Sequence, residues 1–89
     1  MTITNKQVED AKNIINQIKA ELEKIRETHN EEADEIAEAL LDMEAKIEKK
    51  ERIPKLTFKS FLETSSNLSS IGSLAVSLGQ IIGMLPIPK

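Results

Sequence analysis

Residues 64–88 form a run of twenty-five positions without one charged side chain, and 26 of the 27 charged residues of the chain lie before it. A run of this length that also holds Leu68, Ile71, Leu74, Leu78, Ile81, Ile82 and Leu85 has to be covered. The cover can be its own helices, a second copy, a partner protein or a lipid bilayer. Eighty-nine residues make one domain at most, and so short a chain buries a smaller share of its surface than a typical domain does. Self-association is therefore a natural way to finish the core.

The charged front reads as helix. Thr4 with Gln7 three positions later makes a capping box, and Ile3 can staple onto Val8. Val8, Ala11, Ile15, Ile18, Leu22 and Ile25 then follow 3,4 spacing, which draws one narrow apolar stripe like a coiled-coil seam, widened locally by Ile14. Thr28-His29-Asn30 breaks the pattern. Thr28 and Glu31 have the spacing of a second capping box, and Asn30 is another candidate cap. A second stripe follows at Ala33, Ile36, Leu40, Met43 and Ile47, with Ala37 and Leu41 alongside. The spacing favours an antiparallel hairpin turning near 28–30 over one continuous helix with a stutter, although no Gly or Pro enforces the turn. Acidic residues open the second arm and Lys/Arg close it, as the helix dipole prefers. Pro54 is expected to end that arm, with Ile53 pushed out of helical geometry.

After a short linker at 54–56, a third apolar segment can begin at Thr57 and run toward Leu85. The polar run Thr64-Ser65-Ser66-Asn67 is a possible break within it, and Pro86 and Pro88 stop whatever precedes them. Ala75, Gly79 and Gly83 recur at every fourth position, and so do Ser69, Ser73 and Ser77. Small residues at this spacing let helix backbones approach closely, in water or in lipid. Eighteen residues from Leu68 to Leu85 give about 27 Å of helix against roughly 30 Å of hydrocarbon, the short limit for a span, and four Ser and a Gln weaken it further.

Composition excludes several function classes. Without Cys there is neither a disulfide framework nor a thiolate metal site, which fits a reducing compartment. With no Trp, no Tyr and two Phe, stacking on bases has few residues to use, so nucleic acid is disfavoured. The start MTITNKQVED lacks the pattern of a secretory signal, and the chain is expected to begin at or near Met1. His29 is the only histidine. One His among carboxylates makes a poor metal site, and a polar turn residue is the simpler reading. No G-x-S-x-G elbow, P-loop or dinucleotide fingerprint is present, so no enzyme activity and no cofactor is expected. The seven carboxylates from Glu31 to Glu44, with no basic residue among them, could face a basic partner but read first as a solvated face. The run from Lys46 to Lys59, six positive and two negative, could touch anionic lipid or phosphate, or pair with a neighbouring helix.

The order of an acidic Glu/Ala/Leu helix (EEADEIAEALLDMEAKIEKKE), a Pro linker with Phe and Lys (RIPKLTFKSFLE) and a Ser/Gly/Ala apolar tail resembles small helical modules at the ends of bacterial conflict-system and anti-phage proteins. The likeness covers residues 31–85 and has no diagnostic motif. It implies an adaptor or oligomerisation module in the cytoplasm, and it carries over no site residues.

The expected fold is thus all-α: a charged antiparallel helical hairpin over 1–53, a Pro linker at 54–56, and a third apolar helix within the Ser/Gly/Leu/Ile-rich segment 57–89, completed by oligomerisation. Ile15, Ile18, Leu22, Ile36, Leu40 and Met43 should close the hairpin. Leu68, Ile71, Leu74, Ala75, Leu78, Gly79, Ile82 and Gly83 are the expected interaction residues, gripping a second copy or a partner helical protein. Two alternatives stand beside this reading. One is a membrane-associated protein that inserts its C-terminal helix as an anchor or oligomeric pore; the other is an acidic inhibitor or antitoxin-like binder using 31–44.

Overall fold

In the computed structural model, which describes residues 4–85, helix α1 (Asn5–Ile25) opens on the capping box. Thr4 Oγ1 accepts from the Gln7 backbone N–H at 3.1 Å, and Gln7 Oε1 accepts from the Thr4 N–H at 2.8 Å. Two otherwise orphaned donors of the first turn are thereby satisfied. The staple from Ile3 to Val8 lies outside the described residues. Ala11, Ile15, Ile18 and Leu22 are buried along one face of α1, and Ala33, Ile36, Leu40, Met43 and Ile47 along one face of α2 (Asn30–Glu48). The direction of pairing follows from the ion pairs Lys12–Glu48, Lys19–Glu44 and Arg26–Asp34. Partner numbers fall as α1 numbers rise, so the two helices run antiparallel.

The turn differs from its sequence signature. His29 stands at the N-cap of α2 without a side-chain cap, and Asn30 is already helical. Thr28 does not form a box with Glu31; its hydroxyl donates to the Ile25 carbonyl at 3.2 Å, and the His29 N–H reaches the same oxygen at 2.7 Å. Thr28 therefore closes the preceding helix rather than opening the next one.

Helix α2 also ends earlier than Pro54 requires. After Glu48 the Lys50 N–H bonds to Ile47 O at 3.0 Å and the Glu51 N–H to Lys46 O at 2.8 Å, while Lys50 takes φ 57°. These are the two bonds of a Schellman stop, with a lysine at the left-handed position that usually selects glycine. Pro54 instead stands at the N-cap of the next helix, and Ile53 beside it is buried.

The single third helix is replaced by two, α3 (Lys55–Ser66) and α4 (Ser69–Ile81), which break at Asn67-Leu68. Each helix packs on its neighbours in the order α1, α2, α3, α4 and back to α1. Among the described residues the diagonal pairs α1–α3 and α2–α4 make no close backbone approach. The result is a closed all-α ring around one core. It is fastened where the last helix meets the first, by Gln7 Nε2 donating to the Ile81 carbonyl at 3.0 Å.

Glycines in this half have different roles. A Cβ at Gly79 would stand 2.5 Å from Phe58 Cζ and 2.7 Å from Leu85 Cδ1, whereas one at Gly72 would meet only backbone at 3.5 Å. Gly83, at φ 79°, is the left-handed residue of the stop that ends α4, where Met84 N–H bonds to Gly79 O at 2.8 Å.

Gly72→Ala should therefore raise unfolding free energy by up to about 1 kcal/mol through helix propensity. Gly79→Ala should lower it by about 1–3 kcal/mol, because the buried Phe58 ring has to move. Urea titrations of both variants check this contrast, and equal effects would remove the close-contact account of Gly79. In the same assay Lys50→Gly should gain about 1 kcal/mol by relieving the left-handed lysine.

Candidate interaction surfaces

The eight residues expected to grip a partner lie mostly inside this one chain. Ile71, Ala75 and Leu78 are fully buried, Leu68 nearly so, and Gly79 is also buried. Leu74 and Ile82 are half-buried and pack against the same core. Gly83 is exposed but serves the helix stop. At Gly79 the missing side chain does let a helix come close, but that helix is the chain's own α3, through Phe58. Nothing in a spacing distinguishes an approach within a chain from one between chains, so the sequence could not make this assignment. Among the described residues no helix is long and apolar enough to cross a membrane. The 18-residue helix considered for the tail is a 13-residue α4 that ends at Ile81.

The most exposed large apolar side chains lie outside the tail, on which Val76 is 40% exposed. Leu41 is 62% exposed. It borders a groove on the outer side of the α1–α2 pair, lined with Ala20, Leu22, Ala37 and Leu40 and edged by Lys19, Glu23 and Arg26. Helix periodicity had placed Leu41 alongside the second stripe. It follows the buried Leu40 by one position, and a full step of about 100° turns it off the core. A second groove, between α3 and the residues after α4, is lined by Phe58, Leu62, Met84 and Leu85 and edged by Arg52, Lys55 and Lys59. Leu56, on the first turn of α3, is 74% exposed.

The remaining candidates resolve simply. His29 is exposed in the turn, and among the described residues no three His, Cys, Asp or Glu side chains gather as metal ligands would. The acidic run is partly neutralised within the chain: Asp34 pairs with Arg26, Asp42 with Lys46 and Glu44 with Lys19. Exposed pairs of this kind stabilise only weakly, up to about 1 kcal/mol each. Their stronger effect is on register, since Arg26–Asp34 and Lys19–Glu44, together with Lys12–Glu48, link the two arms at both ends and the middle.

One buried polar group was not anticipated. Ser65 is fully buried at the α3–α4 crossing, and among the described residues its hydroxyl has no hydrogen-bond partner. A Cβ on Gly72 would stand 3.5 Å from the Ser65 carbonyl oxygen, so the two helix backbones pass close at this point. Comparison of the chain with protein-family models, curated proteins and solved structures finds no match.

Because the site is buried and the hydroxyl unpaired, Ser65→Ala should stabilise the fold by about 1–2 kcal/mol. Thermal unfolding followed by circular dichroism measures it. A loss of stability would mean that the hydroxyl has a partner.

Proposed function

We propose that the chain is a non-enzymatic helical interaction module that self-associates through the outer groove of its α1–α2 hairpin, with Leu41 at the centre of the contact. The observation that carries this reading is the exposure of Leu41 beside an apolar groove, in a chain whose other stripe leucines on α1 and α2, Leu22 and Leu40, are covered. A leucine moved from water into a packed contact contributes roughly 1.5–3 kcal/mol. The groove edge carries both signs of charge, Lys19 and Arg26 with Glu23. A two-fold axis over Leu41 therefore allows the cations of one copy to approach Glu23 of the other, as an isologous contact needs. A groove this small supports weak, concentration-dependent association.

On this reading the tail residues named from sequence act indirectly, by holding the hairpin in shape. An adaptor role in an assembly of effectors, as the resemblance to conflict-system modules implies, would use the same face.

Sedimentation velocity over a concentration series tests the proposal. The wild-type chain should grow heavier with concentration, and Leu41→Glu should remain a monomer while its unfolding free energy shifts by no more than about 0.5 kcal/mol, as for other exposed positions. A wild-type chain that is monomeric throughout, or a variant that associates equally well, would contradict it.

A further inference from the structure

The second open surface lies at the end of the ring remote from the 26–29 turn. There the connection from α2, the first turns of α3 and the residues after α4 meet around a groove of about 310 Å³ edged by Arg52, Lys55 and Lys59. These cations differ from those of α1 beyond its first turn. Lys12, Lys19 and Arg26 are each ion-paired, whereas among the described residues Arg52, Lys55 and Lys59 have no such partner. Residues 49–59 hold five cations against one carboxylate, Glu51, and with Lys6, Glu9 and Asp10 on the first turns of α1 at the same end cations still outnumber carboxylates there.

Leu56 stands within that charge. It follows Lys55 and precedes Lys59 by three positions on α3, so Leu56 and Lys59 share a face. Its side chain is 74% exposed. An apolar side chain projecting between unpaired cations fits a surface that is anionic outside and apolar just beneath. The charge along the molecule favours the same occupant. Glu31, Glu32 and Glu35 lie on the first turns of α2, at the opposite end, and an anionic plane would repel them while attracting 49–59. Base stacking has no support here, since Phe58 and Phe61 are 3% and 2% exposed.

We propose that this end is a peripheral membrane contact for anionic lipid. Lys49, Lys50, Arg52, Lys55 and Lys59 meet the headgroups, Leu56 enters the boundary between headgroups and acyl chains, and the helix ring stays intact outside the bilayer. The contact differs from a spanning tail in using α3 and the linker rather than α4. It is also independent of the Leu41 face. Each cation near an anionic surface strengthens partitioning by roughly fivefold, an effect that salt screens.

Flotation of the whole chain with phosphatidylcholine vesicles, with and without phosphatidylglycerol, tests the proposal. The chain should float with the anionic vesicles at low salt, leave them at high salt and ignore phosphatidylcholine alone. Replacing Lys55→Glu and Lys59→Glu together should lower partitioning by more than about tenfold, with helix content unchanged by circular dichroism. Leu56→Ser should lower it by about tenfold or more, as the transfer energy of one leucine implies, and Leu41→Glu should float as the wild type does. No flotation with anionic vesicles, or flotation that survives the double charge reversal, would overturn the proposal. Tight binding to soluble polyglutamate without flotation would overturn it too, in favour of an acidic protein partner.

Discussion

The close seating of α4 between α1 and α3 is the contact on which the rest of the molecule depends. At one point it requires the absence of a side chain, since any Cβ on Gly79 would run into Phe58 and Leu85. At its end it is tied to the start of α1 by the bond from Gln7 to the Ile81 carbonyl. With α4 in place, Ile71, Ala75 and Leu78 complete a core that the two long helices cannot close by themselves. Each large apolar side chain so buried contributes roughly 1.5–3 kcal/mol, offset by the entropy of ordering the segment. The buried face of residues 64–85 is thus one wall of the core.

This arrangement moves the question of function from the tail to the surface. With the described part of the neutral segment packed on the chain's own helices, the features left open to association are those that the core does not absorb. Two such features stand apart in space and in chemistry. One is the groove beside Leu41 with charges of both signs at its edge; the other is the end of the ring where cations outnumber carboxylates around Leu56. The first suits a copy of the same surface, and the second suits a negative plane.

Much of the front half was legible in the residues. The capping box of Thr4 and Gln7 forms as spacing predicts, and the two stripes are the buried faces of α1 and α2, because helical period and burial are one geometric fact. What was missed lies at helix ends and in partner choice. Thr28 could cap forward or backward, and its hydroxyl bonds backward. The stop after Glu48 uses a lysine where glycine is the usual signal, which led Pro54 to be read as the terminator. The break at Asn67-Leu68 was visible as a polar run, but not that α4 would fold back along α3. Of the candidate interaction residues, Leu68, Ile71, Ala75, Leu78 and Gly79 are buried within their own chain, while Leu74 and Ile82 are half-buried and Gly83 is exposed.

The central claim is that one chain covers its own uncharged segment. Hydrogen exchange of the α4 backbone amides in dilute, monomeric protein tests this most directly, because protection there requires a packed helix in a single copy. The account predicts that residues 73–81 exchange as slowly as the buried centres of α1 and α2. Exchange of α4 at the rate of an unfolded segment while α1 and α2 stay protected, or protection that arises only when copies associate, would contradict it.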